Sequence, residues 1–269
     1  VGYLGPRGTF CELAARKHFP ATNISFISFF TIPEIFKAVV SRKIDYGVVP
    51  AENSIEGSVN ITLDLLYRTE ISICGEVEER VKHNLIVKPG TKYSDIKTIL
   101  SHQQALAQCR NFLEKEFPKA RLIEVSSTAL AVTRIKRLKN AAAIGTEISA
   151  KLYKMKVAAR DIGNGSTNFT RFLVLSTKDS KPTGHDKTSL IFASKNIPGA
   201  LYRSLEPFAR MNINLSKIES RPIREKPWEY IFFMDFEGHR EDPKCREALE
   251  ELKKISVFFK ILGSYPRSI

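Results

Sequence analysis

The feature that most constrains this chain is a change of rhythm near residue 178. Before it, short apolar runs of β character alternate with segments whose apolar residues recur at helical spacing. Residues 1–4, 23–27, 45–49, 71–78, 82–87, 98–100, 122–125, 141–144, 157–161 and 169–175 read as strands. Helices are expected from Phe10, over 33–40, over 57–67 and from His102, the last with Leu106, Cys109, Phe112 and Leu113 on one face. Such alternation demands an α/β layered fold. The polar stretch KDSKPTGHD reads as a linker. Beyond it, strands at 188–194, 213–219, 229–236 and 257–262 enclose helices at 198–210 and 243–254. That β-α-β-β-α-β order is the ferredoxin-like plan. The expected division is a domain over 1–178, a linker over 179–186 and a second domain over 187–269. A kink is expected at Pro207 inside its helix, and Trp228 is expected to pack within the second domain.

Composition removes several classes. The greasiest stretch, 24–36, is broken by Ser25, Ser28, Thr31, Pro33 and Glu34, so no membrane span is expected. The start does not read as a signal peptide. Cys11, Cys74, Cys109 and Cys245 form no CxxC pair, and the five histidines form no HxxxH. A reduced, cytoplasmic, metal-free protein is the expectation. The formal net charge of +13 lies mostly before residue 179. Its densest stretch, 134–160, has only Tyr153 as an aromatic residue, whereas nucleic-acid platforms interleave aromatics with charge. That stretch reads as a solvated face, and a nucleic-acid partner is not expected. The charge suits steering of small anions instead.

Four junctions between strands and helices are rich in small polar residues: Gly5-Pro6-Arg7-Gly8-Thr9, Glu52-Asn53-Ser54-Ile55-Glu56-Gly57-Ser58, Ser101-His102-Gln103-Gln104 and Ser126-Ser127-Thr128. Ligands in α/β folds bind at such places, and helix N-termini there favour anions. Capping boxes explain part of the pattern: Thr9 with Glu12, Asn53 with Glu56 and Ser101 with Gln104 all have the required spacing. Glu52-Asn53-Ser54 directly follows an apolar run, where the chain is expected to leave its sheet, and reads as functional. Cys109 falls on an apolar helix face and reads as core. No phosphate-binding glycine loop is present. Thr170 and Arg171 stand where a polar turn meets a buried strand, on opposite faces by strand alternation.

Together these motifs resemble the prephenate dehydratases that carry a regulatory ACT domain, over essentially the whole chain. The matching pieces are Gly5-Pro6-x-Gly8-Thr9-Phe10, Val49-Pro50-x-Glu52-Asn53-Ser54-x-Glu56-Gly57-Ser58-Val59 and Ser101-His102-x-Gln104-Ala105-Leu106-x-Gln108-Cys109. Asn168-x-Thr170-Arg171-Phe172, Pro198-Gly199-Ala200-Leu201, Ile218-Glu219-Ser220-Arg221-Pro222 and Leu262-Gly263-x-Tyr265-Pro266 follow in order. Gln103 departs from the family, whose members commonly have proline there. The resemblance implies a two-lobed catalytic domain like type II periplasmic binding proteins, with its site between the lobes, and no cofactor.

The implied reaction converts prephenate to phenylpyruvate, carbon dioxide and water. Thr170 would contact the leaving hydroxyl, with Glu52 and Asn53 as further catalytic residues. Ser54, Ser101, Gln104, Gln108, Thr128, Arg171 and Phe172 would bind substrate. Gln104 and Gln108 stand i,i+4 on one helix face, so both point the same way. The ACT resemblance implies L-phenylalanine as an allosteric ligand held by Gly199, Ala200, Leu201, Asn214, Leu215, Glu219, Ser220, Arg221 and Pro222. Such pockets lie between subunits, which implies a homodimer or a dimer of dimers. Arogenate as substrate and a non-catalytic amino-acid sensor are the alternatives.

Overall fold

The computed structural model describes residues 1–165, 167–222 and 229–268. Trp228 lies outside the described residues. In chain order the elements begin β1 (Gly2–Leu4), α1 (Phe10–His18), β2 (Ile27–Phe29), α2 (Ile32–Val40), β3 (Gly47–Asn53), β4 (Gly57–Ser58), α3 (Asn60–Arg68), β5 (Ser72–Arg80) and β6 (Asn84–Val87). There follow β7 (Thr98–Ser101), α4 (Gln103–Gln108), α5 (Arg110–Glu116), β8 (Arg121–Glu124), α6 (Thr128–Arg134), β9 (Ala141–Gly145), α7 (Glu147–Leu152), β10 (Lys156–Ala159) and β11 (Phe169–Ser176). The last third holds β12 (Asp186–Ser194), α8 (Ala200–Arg210), β13 (Leu215–Pro222), β14 (Tyr230–Glu237), α9 (Pro243–Ile255) and β15 (Ser256–Pro266).

These elements build three sheets. One has the order β2-β1-β3-β11-β5, with β4 paired to β3; a second has β10-β6-β9-β7-β8; the third has β13-β14-β12-β15. The chain forms two compact units. The first comprises Val1–Ile35, Val48–Thr62 and Val77–Phe172; the second comprises Phe36–Gly47, Leu63–Glu76 and the chain from Leu173 on. The expected α/β class holds throughout.

Within the first unit, β9 is the sequence Ala-Ala-Ala-Ile-Gly and is wholly buried. Small side chains let α6 lie close on it. A Cβ at Gly145 would stand 2.7 Å from Val132 Cγ2, so nothing larger than glycine fits without movement. The helix starts are capped as the sequence predicts at α1, where Thr9 Oγ1 accepts from Glu12 N. Buried Glu12 reaches back to Gly8 N at 2.6 Å, closing that turn.

The second unit contains the β-α-β-β-α-β module. Its sheet is antiparallel at each pairing. One face packs on α8 and α9 through Leu190, Phe192, Phe208, Met234, Phe236, Leu249 and Leu252. Along α9, Cys245, Ala248, Leu249 and Leu252 are buried at i, i+3, i+4 and i+7, the spacing of one helical face. Two lysines, Lys187 and Lys260, stand among the alternating residues on the other face. Lys187 Nζ donates to both carboxylate oxygens of Glu76 at 2.7 and 2.9 Å, and both side chains are almost fully buried. Lys260 Nζ donates to the carbonyls of Leu66, Tyr67 and Thr69 at the end of α3. A cation is favourable there because the last helical carbonyls lack intrahelical donors.

Several local expectations are corrected. The second strand is β2 at Ile27–Phe29, not 23–27; the apolar alternation allows either register, and parallel pairing of Gly2 with Ile27 selects the later one. The chain does not leave its sheet at Ala51. It continues to Asn53 and turns back as β4, pairing Glu52 with Ser58 and Asn53 with Gly57. Asn53 therefore caps no helix. Its Oδ1 accepts from Ile55 N and Glu56 N at 3.1 Å each, closing a tight turn. The helix expected from residue 57 begins only at Asn60. The helix expected from His102 is two helices that meet at Cys109, because the Gln108 carbonyl accepts from Asn164 N at 2.6 Å. Its cap is His102, whose Nδ1 accepts from Gln104 N, and not Ser101. α8 runs from Ala200 to Arg210 through Pro207.

Candidate active site

A cavity of about 770 Å³ opens in the first unit, and all four polar junctions line it. The starts of three helices contribute: Thr9 and Phe10 from α1, His102 to Gln104 from α4, and Ser126 to Thr128 from α6. Among the described residues lining it there is no lysine or arginine. An anion there is met by neutral donors and helix starts, not by a paired cation. Without a paired cation, the charge of a carboxylate held there is less stabilised in the ground state, which leaves that carboxylate freer to react.

Thr170 and Phe172 reach the cavity from β11 two residues apart, on one face of the strand. Thr170 Oγ1 accepts from Asn53 Nδ2 at 3.0 Å. The same Asn53 amino group donates to Asn168 Oδ1 at 2.8 Å and to the Phe169 carbonyl at 3.0 Å. Asn168 Nδ2 donates to Gln108 Oε1 at 2.9 Å, and His83 Nε2 lies 2.8 Å from the same oxygen. Gln108 Nε2 stands 3.5 Å from Glu56 Oε1. A chain of side-chain amides thus runs from His83 to the Thr170 hydroxyl. Among the described residues that hydroxyl donates to no protein acceptor, so its proton is available to the cavity.

Six of the ten residues expected at the catalytic and substrate site line the cavity: Asn53, Gln104, Gln108, Thr128, Thr170 and Phe172. The other four do not. Ser101 is fully buried and donates to the Ile144 carbonyl at 2.8 Å, which ties β7 to β9. Ser54 donates to the Thr167 carbonyl and accepts from Phe169 N, which pins the entry to β11. Glu52 and Arg171 face one another, with Arg171 Nη1 3.9 Å from Glu52 Oε2. The carboxylate that does line the cavity is Glu56, in the turn after Asn53.

His83, Asn168 and Glu56 are cavity or network residues that sequence reasoning left out of the site. Asn168 had a signal, two residues before Thr170 on the same side of the chain. His83 had only its place at the head of an apolar strand. Cys11 lines the cavity and Cys109 lies in the apolar core; burial pushes both thiols up to about 12, which disfavours the reactive thiolate.

In the second unit, Gly199 precedes α8 with φ of +74°, and Ala200 and Leu201 line a cavity of about 400 Å³ with Tyr230, Phe232 and Val257. The remaining expected ligand residues lie along and just before β13, an edge strand of its sheet. The Asn214 carbonyl accepts from Glu237 N, next to Leu215 at the strand's start. Glu219 pairs with Lys217 at 3.1 Å and Arg221 with Asp64 at 3.0 Å, with Ser220 and Pro222 alternating on the exposed side. None of these β13 residues lines the cavity beside α8.

A polar cavity at strand-to-helix junctions of an α/β body, followed along the chain by a ferredoxin-like β-α-β-β-α-β module, defines a two-module α/β protein with a ligand-sized cavity in its first part. Comparison with known families makes this specific. The family model for prephenate dehydratase matches residues 1–180, and that for the ACT domain matches residues 188–254. The chain belongs to the prephenate dehydratase family. It is 44% identical, over its whole length and 74% of the relative, to the bifunctional chorismate mutase/prephenate dehydratase of Aquifex aeolicus. It is 37% identical, over 99% of its length and 72% of the relative, to the chloroplastic arogenate dehydratase/prephenate dehydratase 2 of Arabidopsis thaliana. Among solved structures, the prephenate dehydratase of Arthrobacter aurescens in complex with L-Phe superposes with a TM-score of 0.92. Its identity is 34%, with 99% of this chain and 90% of that one covered.

Proposed function

We propose that the cavity of the first unit takes prephenate and releases phenylpyruvate, carbon dioxide and water, as a carbon–oxygen lyase. The observation that carries this reading is the Thr170 hydroxyl, held as an acceptor by Asn53 with its own proton free toward a cavity of neutral donors. Prephenate carries two carboxylates and a ring hydroxyl. When the bond from the ring to its carboxylate breaks, the electron pair passes into the ring and the carbon–oxygen bond to the hydroxyl breaks. Aromaticity is gained, carbon dioxide leaves, and the departing hydroxide takes a proton to become water.

Thr170 is the hydrogen-bond donor to that leaving oxygen, and the proton consumed comes finally from solvent. Asn53 and Gln108 keep the donor directions, Gln104 and Thr128 orient the side chain of the substrate, and Phe172 supplies an apolar wall. Glu52, Ser54, Ser101 and Arg171 act in this reading by holding the strands that carry those groups. A carboxylate desolvated in such a site decarboxylates more readily than in water. The division proposed is a catalytic domain over 1–178 and an ACT domain over 187–269.

Phenylalanine is the proposed inhibitor, acting through the second unit. The support is the family match over residues 188–254 and the L-Phe held by the Arthrobacter relative. Ile197, Leu201, Tyr230 and Val257 stay exposed around the cavity beside α8. We propose that a second copy of the chain covers them and that its β13 residues complete the pocket, so the working form is a dimer or a dimer of dimers. With Cys11, Cys74, Cys109 and Cys245 unpaired, the cytoplasm is the proposed compartment.

Gly199→Leu tests the regulatory half. A Cβ there would stand 3.0 Å from Arg203 Nη1, directly before Ala200 and Leu201, which line the cavity. The phenylalanine concentration for half inhibition rises by about tenfold or more through built-in clash, while uninhibited turnover persists. Inhibition at an unchanged concentration contradicts the assignment. The direct test of the reaction is phenylpyruvate formation from prephenate and from arogenate, with and without phenylalanine. Faster turnover of arogenate moves the substrate, and no turnover of either leaves a sensor.

A further inference from the structure

His83 is 4% exposed, lines the catalytic cavity and has no place in the reaction as derived so far. Its hydrogen bonding is determined by its neighbours. Asn53 Oδ1 accepts from two backbone N–H groups, so the Asn53 amino group must face Asn168. Asn168 Oδ1 is then the acceptor, and Asn168 Nδ2 the donor to Gln108 Oε1. That oxygen cannot donate. His83 Nε2, 2.8 Å away, must therefore carry the proton. Nδ1 is left without one. It is buried and meets no hydrogen-bond partner among the described residues. The ring is held edge-to-face against Phe10 with centroids 6.0 Å apart, and burial lowers its pKa below the ordinary value, which keeps it neutral.

The geometry points to His83 as a positioning residue: its Nε2–H, together with Asn168, clamps the Gln108 oxygen and so turns the Gln108 amino group into the cavity as a donor. This rests on the reading that the cavity takes the prephenate dianion. Without His83, the Gln108 amide keeps only the Asn168 donor on its oxygen and the long 3.5 Å contact of its amino group with Glu56, so it is held less firmly and offers its N–H to an anion for less of the time. Asn53 is secured independently by backbone donors, so Thr170 keeps its orientation when His83 is changed. The effect therefore falls on substrate capture more than on turnover.

Two measurements on the full chain test this. Steady-state constants with prephenate are compared for wild type, H83L, H83Q, Q108A and the H83L/Q108A double variant. H83L raises KM about tenfold with kcat changed less, the scale of one lost hydrogen bond near charge. H83Q recovers most of that loss, because its amide places an N–H toward the same oxygen. On the Q108A background H83L adds less than about twofold, since the residue it positions is gone. An equal factor in both backgrounds, or no change in KM for H83L, overturns the proposal. Nitrogen NMR of the labelled wild-type chain needs neither a variant nor turnover. It should show His83 protonated on Nε2 and bare on Nδ1 at neutral pH; the opposite tautomer overturns the clamp. A wild-type chain that leaves prephenate untouched overturns the substrate reading alone, and the tautomer then still decides the clamp.

Discussion

Thr170→Ala should lower kcat for prephenate by about 10²-fold or more with KM little changed, the signature of losing proton donation in the transition state. The expectation follows from direction, not proximity alone. Asn53 Nδ2 donates to Thr170 Oγ1 at 3.0 Å and so occupies an acceptor site of the hydroxyl, leaving its proton to the cavity. Alanine removes that donor and leaves Asn53 with its other two acceptors, Asn168 Oδ1 and the Phe169 carbonyl, so the local fold survives. Serine keeps the hydroxyl in the same network and should retain much more activity than alanine. Alanine and wild type turning over alike would remove Thr170 from the chemistry.

The largest stability effect is expected at Gly263. Its φ is +152°, and a Cβ there would lie 2.0 Å from the Ile73 carbonyl oxygen. The close approach arises where β15 shifts register against β12, between the pairs Ser189 with Gly263 and Leu190 with Ile261. The three nearest atoms, the oxygen, carbonyl carbon and nitrogen of Ile73, are all backbone, so no flexible side chain is there to yield. Gly263→Ala should therefore cost about 3 kcal/mol or more, from overpacking together with a conformation that L residues avoid. Thermal unfolding should shift down by roughly 10 °C at this chain length. A variant that melts with wild type would mean that β15 relaxes away from Ile73 without penalty.

What the sequence made legible divides along physical lines. Strand and helix types were readable because their periods differ, and the ferredoxin-like module was readable because its helices, such as α9, bury one clean face. The polar junctions were readable as a set, and they do line a single cavity. Local alternation could not tell that 27–29 and not 23–27 pairs with β1, since register is decided by a partner distant in sequence. Nor could it tell that Asn53 ends a strand, because the turn that closes it depends on pairing with Gly57. The capping-box spacing pointed to Ser101 as a helix cap, yet its hydroxyl turns inward to Ile144, and the neighbouring imidazole takes the cap. His83 stayed hidden for the same reason. Its meaning lies in Gln108 and Asn168, which are 25 and 85 positions along the chain and meet it only after folding.

Under the proposed mechanism, this chain removes carboxylate and hydroxyl from prephenate in one event. The most direct measurement follows carbon dioxide and phenylpyruvate together as the purified full chain consumes prephenate near neutral pH. One carbon dioxide should appear for each phenylpyruvate, at a rate proportional to enzyme concentration and largely abolished by Thr170→Ala. A product that keeps the ring carboxylate, or a rate no greater than that of prephenate in buffer, would contradict the account.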